Sequence, residues 1–338
     1  MTGLPALMLL TDPDAIMRMH DPSDVAPVRE SLIRLLWRDK GFPSWGPAVV
    51  EQGVNLPAYM LPNVLRHDRI VCSFDGEPLL DSTVDVLWPI ARNDGAVIYC
   101  GGHTGDTEPT GTQTLGYLAP LVAAGYVTVR VSMPLLGANY VSPSGQAEIN
   151  YPGVGWLAET NHNNLRYWGS LPHLRHPLAL FAEPTVVALN YVLPNLPPHP
   201  RVGMFGYSGG GWTTLLVSAL DTRINRSYPV AGFLPHHLRL PSETGDWEQF
   251  DWEWMRHASY LDLCLLASVG YGRRCVQINN EFDPSVFAGA ARPATYVDAV
   301  KARLAQIGPG SFDFVCDPHN QHTISPTAMS YILSDLAA

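Results

Sequence analysis

Residues 206–210 read Gly-Tyr-Ser-Gly-Gly, which fits the G-x-S-x-G pattern of a nucleophile elbow. The apolar run 202–205 before it is typical of a buried strand, and residues 212–220 after it are typical of a helix. A serine between a strand and a helix lies on a tight, strained turn, with the positive helix N-terminus beneath it. We therefore predict that Ser208 is a nucleophile. The alternative is a serine that only caps the helix.

A serine hydroxyl is a good nucleophile only beside a base, and that base needs an orienting carboxylate. Asp283 follows the strand-like run 275–279 and precedes a proline, which ends the strand. This position favours Asp283 as the carboxylate, with Glu281 as the alternative. A turn-forming or capping aspartate would also fit the pattern at Asp283.

Two histidines follow the strand-like run 312–315 and compete for the role of base. His322 lies immediately before the segment that enters the last expected helix, whereas His319 follows a proline within the loop. We favour His322 as the general base and regard His319 as the alternative.

The negative oxygen that forms in acyl transfer needs backbone N–H donors held in place. One expected donor is Gly209, the residue after the serine. The second is expected in the loop 101–104, where we favour His103 and place Gly102 next. A plain glycine turn is the alternative interpretation of this loop.

Strand-like and helix-like runs alternate along the chain and must position these side chains. The alternation predicts an α/β protein with a mostly parallel central sheet flanked by helices. Asp75-Gly76, between the first two strand-like runs, predicts a hairpin. The expected strands are 69–74, 83–88, 96–100, 126–131, 202–205, 228–231, 275–279 and 312–315, and the expected helices are 112–124, 178–192, 212–220, 294–307 and 326–336.

Residues 1–67 are predicted to form an N-terminal helical extension packed on the core, with an amphipathic helix at 24–38. Residues 68–338 are predicted to form the catalytic domain. The stretches 134–176 and 233–262 interrupt the alternation on the C-terminal side of expected strands, where ligands bind in open α/β sheets. We expect loops or a small cap there, with ordinary surface packing as the alternative.

Four motifs over residues 69–338 resemble those of the α/β-hydrolase superfamily: Gly-Gly-His103, Gly-Tyr-Ser208-Gly-Gly, Asn-Glu-Phe-Asp283 and His322-Thr-Ile-Ser. Residues 208–214, with 219–224 downstream, are similar to bacterial esterases that remove acetyl groups from sugars. The resemblance implies the α/β-hydrolase fold, the order serine, acid, histidine, and ester hydrolysis through an acyl-enzyme without a cofactor. The Gly-Gly-His-Thr loop differs from the His-Gly-Gly-Gly loop of the hormone-sensitive-lipase-like branch.

Composition excludes several other classes of protein. The net charge of −10 and the lack of a basic run argue against a nucleic-acid partner. No segment reaches the about 18–20 apolar residues that span a bilayer, and the apolar stretch 4–10 lacks the basic flank of a signal peptide. Five cysteines without C-x-x-C spacing favour reduced thiols in a cytoplasmic protein. The adjacent His236 and His237 lack further ligands at useful spacing, so no metal is expected.

Three functions fit these observations. The favoured one is a serine esterase that acts on a small-molecule ester, with a small acyl group or a carbohydrate acetyl group. The second is a serine peptidase or amidase of the same fold, although residues 1–67 are too short for the propeller that this class commonly carries. The third is a non-catalytic binding protein, against which the presence of all three candidate catalytic side chains argues.

Overall fold

A computed structural model describes residues 11–55, 61–74, 80–103, 112–139, 148–151, 154–158, 162–170, 175–243 and 245–338. The chain divides into two compact units. The first unit comprises Leu36–Met204, and the second comprises Met1–Leu35 together with Phe205–Ala338.

The strands of the described residues are numbered in chain order. They are β1 (Val49–Glu51), β2 (Val64–Cys72), β3 (Ser82–Pro89), β4 (Gly95–Cys100), β5 (Val127–Val131), β6 (Glu148–Tyr151), β7 (Gly155–Ala158), β8 (Arg201–Tyr207), β9 (Arg226–Val230), β10 (Arg274–Asn280) and β11 (Ser311–Asp317).

The α-helices of the same residues are numbered likewise. They are α1 (Pro13–Ile16), α2 (Val25–Trp37), α3 (Thr112–Ala123), α4 (Ala179–Val192), α5 (Gly209–Leu220), α6 (Trp247–Phe250), α7 (Trp252–Met255), α8 (Tyr260–Ser268), α9 (Val297–Ile307) and α10 (Pro326–Ala337). No helix in this part of the chain is long and apolar enough to cross a membrane.

The first unit contains a mixed sheet in the order β1-β2-β3-β5-β4. Strands β1, β2, β3 and β5 pair antiparallel in turn, whereas β4 and β5 pair parallel with α3 between them in the chain. The antiparallel pairing of β2 with β3 confirms the expected hairpin, although its turn at Asp75-Gly76 lies outside the described residues.

The second unit contains the last three residues of β8 and all of β9, β10 and β11, in the order β8-β9-β10-β11, and these strands precede the candidate catalytic residues. Strands β9, β10 and β11 pair parallel, with α9 between the last two in the chain. Every residue of α5 and of α8 is buried, so these two helices form much of the core of this unit. Because parallel strands point the same way, the loops after β9, β10 and β11 leave from one edge of the sheet.

The expected alternation of strands and helices is confirmed, and α2 (Val25–Trp37) matches the helix expected at 24–38. Seven of the described strands and α-helices were not expected: α1, α6, α7, α8, β1, β6 and β7. Helix α8 is buried on all sides and therefore lacks an amphipathic period, and β1 has only three residues. The segment 1–67 also contains β1 and the start of β2, and the stretch 233–262 contains α6 and α7. The expected domain boundaries and cap stay predictions.

The N-terminal segment of the second unit is tied to helices from the other end of the chain. The Arg18 guanidinium donates to the carbonyl oxygens of Met255 and Arg256, and the Arg18 backbone N–H donates to Asp262 at 2.8 Å. The Arg303 guanidinium donates to the carbonyl oxygen of Met19 at 2.8 Å. These contacts connect α7, α8 and α9 to residues that precede α2.

Candidate active site

Ser208 lies between β8 and α5 with φ of 56° and ψ of −129°. An L-residue rarely adopts this left-handed φ, so the turn is strained. The Ser208 backbone N–H donates to the carbonyl oxygen of Val230, at the end of β9, over 3.0 Å. Its side chain makes no capping hydrogen bond to α5, which argues against the interpretation of Ser208 as a helix cap.

Two glycines let β9 and α5 approach at backbone distance just beyond this turn. A Cβ atom added to Gly232 would lie 2.5 Å from Cα of Gly211, and one added to Gly211 would lie 2.7 Å from the carbonyl oxygen of Val230. Both distances are shorter than any ordinary carbon contact. Neither position therefore has room for a side chain, and the start of α5 is fixed by the backbone of the neighbouring strand.

Asp283 and His322 meet in the second unit. The two carboxylate oxygens of Asp283 lie 2.9 and 3.1 Å from Nδ1 of His322, and the Asp283 side chain is fully buried. Burial alone would raise the pKa of Asp283, but hydrogen bonds from His322 and from the Ser285 side chain and backbone lower the net pKa below its ordinary value. Asp283 is therefore ionised at neutral pH, and it favours a proton on Nδ1.

The two alternative residues make other contacts. A carboxylate oxygen of Glu281 accepts a hydrogen bond from Sγ of Cys316 at 2.7 Å. Partial burial and this carboxylate raise the pKa of the Cys316 thiol to about 12. The carbonyl oxygen of His319 accepts from the backbone N–H of Phe282 at 2.9 Å. The structure thus brings together Asp283 and His322, and it gives Glu281 and His319 separate partners.

Two aromatic rings flank the His322 imidazole. The Tyr207 ring meets it edge-on with ring centroids 6.1 Å apart, and the Phe287 ring stacks on it with centroids 6.2 Å apart. Tyr207 directly precedes Ser208, so the imidazole lies beside the strained turn. Among the described residues no hydrogen bond joins Ser208 to His322. Such catalytic hydrogen bonds often tighten only when substrate binds.

The expected oxyanion donors fall in different units. Gly209 is the first residue of α5, where backbone N–H groups have no partner within the helix. Gly102 and His103 follow β4 in the first unit. Their role as donors stays a prediction.

His236 follows β9, in the stretch expected to form a cap. Its Nε2 donates to the carbonyl oxygen of Gln249 at 2.7 Å, and its ring packs against Phe250 and Tyr260 with centroids 4.6 and 5.3 Å away. Burial lowers the pKa of His236 to about 4. His236 is therefore a neutral histidine at pH 7.

No protein-family model matches the chain, and no curated protein does. Solved structures do match it. Methylesterase BT1017 is 17% identical with a TM-score of 0.62, over 97% of this chain, which spans only 64% of the methylesterase's own length.

Two further matches extend over nearly the whole of both chains. An acetyl xylan esterase from a Paenibacillus species is 14% identical with a TM-score of 0.57, over 99% of this chain and 96% of its own. Acetyl xylan esterase 1 from a Thermoanaerobacterium species is 15% identical with a TM-score of 0.56, over 99% of both chains. The chain has the α/β-hydrolase fold. At these identities the likeness concerns the fold alone, and the α/β-hydrolase fold hosts many activities.

Proposed function

We propose that the protein is a carboxylic ester hydrolase that works through an acyl-enzyme on Ser208. The observation that carries this proposal is the pairing of Asp283 with Nδ1 of His322 beside Tyr207, the residue that leads into the strained turn. A carboxylate on Nδ1 leaves Nε2 of His322 without a proton and able to accept one.

In the proposed reaction, Oγ of Ser208 attacks the ester carbonyl carbon while Nε2 of His322 takes the hydroxyl proton. The carbon–oxygen bond to the alcohol then breaks, and the imidazolium gives its proton to the leaving alcohol. Water, activated by the same nitrogen, attacks the acyl-serine and releases the acid. Asp283 keeps its charge throughout and stabilises the imidazolium.

The negative oxygen of each tetrahedral intermediate is assigned to the backbone N–H of Gly209. The N-terminus of α5 adds a positive partial charge at the same place. A preorganised donor of this kind contributes about 3 kcal/mol of transition-state stabilisation in enzymes of this class. The second donor stays the sequence prediction, His103 or Gly102.

Small acyl esters, and acetyl esters of carbohydrates in particular, are the proposed substrates. Support comes from the sequence resemblance of residues 208–214 to sugar-deacetylating esterases and from the fold shared with two acetyl xylan esterases.

The test compares p-nitrophenyl acetate, p-nitrophenyl octanoate, acetylated xylo-oligosaccharides and p-nitroacetanilide as substrates of the protein and of Ser208→Ala. We expect the acetate esters to turn over fastest and Ser208→Ala to lose at least about 10⁴-fold in kcat. Ser218→Ala is the matched control, because this hydroxyl of α5 is buried without a hydrogen-bond partner among the described residues.

Three results would contradict the proposal. Near-normal turnover by Ser208→Ala would exclude Ser208 as the nucleophile. Hydrolysis of the anilide without hydrolysis of the esters would indicate a peptidase or amidase. A folded protein without turnover of any of these substrates would indicate a non-catalytic binding protein.

A further inference from the structure

The buried side-chain amide of Asn280 holds the loop that carries His322 by two hydrogen bonds. Asn280 is the last residue of β10 and is fully buried. Its Nδ2 donates to the carbonyl oxygens of Gln321 and of Thr323, each at 2.8 Å. These two carbonyls belong to the residues on either side of His322. One side chain therefore fixes the backbone immediately before and immediately after the candidate base.

The backbone at His322 is a tight turn that this amide completes. The N–H of Thr323 donates to the carbonyl oxygen of Gln321 at 3.1 Å, which makes His322 the central residue of a three-residue turn. The Gln321 carbonyl oxygen accepts both this turn hydrogen bond and one from Asn280, and the Thr323 carbonyl oxygen accepts the other hydrogen bond from Asn280.

The side-chain oxygen of Asn280 indicates that the two hydrogen bonds from Nδ2 are the reason for an asparagine at this position. Its Oδ1 is buried without a hydrogen-bond partner among the described residues. A buried polar atom without a partner costs free energy. The contribution of Asn280 at this position thus resides in its Nδ2 group.

The loop that follows Asn280 also supplies the groups that hold the imidazole ring of His322. Asp283 lies three residues after Asn280 and accepts from Nδ1 of His322, and the Phe287 ring stacks on the imidazole. Asp283 is itself held by the Ser285 backbone N–H at 2.7 Å. Within residues 280–287, Asn280 therefore fixes the backbone around His322, and Asp283 and Phe287 fix its ring.

We propose that Asn280 is a positioning residue for His322: it holds the 321–323 turn so that Nδ1 meets Asp283 and the ring keeps its Nδ1–H tautomer. The catalytic part of this inference rests on the proposed function. Asn280 itself touches no reacting atom. A misplacement of a catalytic group by about 1 Å costs about 10²-fold in rate, so we expect Asn280→Ala to lower kcat by about 10- to 100-fold and to change KM by less than about twofold.

The test uses Asn280→Ala, Asn280→Ser and the control Asn279→Ala. Asn279 is buried in the same strand, but its amide donates to the carbonyl oxygen of Gly289 at 3.1 Å and not to the 321–323 turn. Serine in place of Asn280 keeps one donor, so its effect should be smaller than that of alanine. It also serves as the second variant if the alanine variant does not fold.

Three measurements are made on each protein. Nitrogen-15 spectra of the imidazole side chains at about pH 8, above the ordinary histidine pKa of about 6.5, report the tautomer of His322, assigned with a His322→Ala protein. Kinetics with p-nitrophenyl acetate give kcat and KM. Thermal midpoints show whether Asn280→Ala and Asn279→Ala lose comparable stability.

We expect His322 to be the Nδ1–H tautomer in the unaltered protein and in Asn279→Ala. In Asn280→Ala we expect a mixture of the two tautomers together with the fall in kcat. An Asn280→Ala protein that keeps the single tautomer and the kcat of Asn279→Ala would overturn the inference. If no ester is hydrolysed but the tautomer changes as expected, the positioning role stands and the proposed function fails.

Discussion

Two regions of the second unit hold the candidate catalytic groups, and they are fixed in different ways. The elbow region, residues 205–236, holds Ser208 through backbone contacts, with Gly211 and Gly232 packed directly against each other. The acid–histidine loops, residues 280–289 and 317–325, hold Asp283 and His322 through side-chain hydrogen bonds. The backbone contact between Gly211 and Gly232 leaves no room for an added atom. The side-chain hydrogen bonds of the acid–histidine loops, in contrast, can be removed one at a time by substitution.

The largest effect is expected in the acid–histidine loops. Asp283→Asn keeps the shape of the side chain but removes the charge that favours the Nδ1–H tautomer, so we expect kcat to fall by about 10⁴-fold. Glu281→Gln is the matched control, because Glu281 contacts Cys316 instead of a histidine. Steady-state kinetics with p-nitrophenyl acetate provide the comparison. A larger loss for Glu281→Gln than for Asp283→Asn would reverse the assignment of the acid.

The elbow region should respond through stability. Gly232→Ala places a methyl group 2.5 Å from the backbone of Gly211, and we expect the free energy of unfolding to fall by about 3 kcal/mol or more because backbone must move. Gly116→Ala is the control, since Gly116 lies within α3 with open space at its Cβ position. Alanine there should raise stability by about 0.5–1 kcal/mol. Urea unfolding of both variants measures the difference, and equal stabilities would contradict the close backbone contact.

Mild acid should lower the stability of the elbow region before that of the acid–histidine loops. Burial lowers the pKa of His236 to about 4, so between that value and its ordinary value of about 6.5 the unfolded chain binds more protons and stability falls as pH falls. The pKa of Asp283 is also lowered in the folded protein. A carboxyl group of this kind stabilises the fold while it is ionised, so the contribution of Asp283 to the free energy of unfolding is lost only below its ordinary pKa of about 4. Acid therefore acts on the elbow region first.

The expected loss on going from pH 6.5 to pH 5 is at most about 2 kcal/mol in the free energy of unfolding. His236→Gln, which keeps a side-chain donor, should remove most of this dependence. Urea unfolding of both proteins at the two pH values tests this, and an equal pH dependence in the two would show that His236 is not responsible.

The elbow region was largely predictable from the sequence because its determinants are local. A strand pattern, a glycine-flanked serine and a helix pattern follow one another within 20 residues, and β8, Ser208 and α5 appear where those patterns place them. The partner of Gly211, however, is Gly232, and no local pattern shows that β9 must pass at that point.

The acid–histidine loops were predictable only in part. The position of Asp283 and His322 after neighbouring strands favoured both residues, and the choices over Glu281 and His319 remain predictions supported by the observed pairing. Asn280 was not singled out, because its two hydrogen bonds reach residues 41 and 43 positions further along the chain. Contacts over such separations are created by the pairing of β10 with β11, which no sequence period encodes.

The proposal that Ser208 is a nucleophile activated by His322 is tested most directly with a fluorophosphonate probe and mass spectrometry of the labelled protein. We expect one adduct, on Ser208, formed much more slowly in His322→Ala and not at all in Ser208→Ala. An adduct on another residue, or unchanged labelling of His322→Ala at neutral pH, would contradict the assignment.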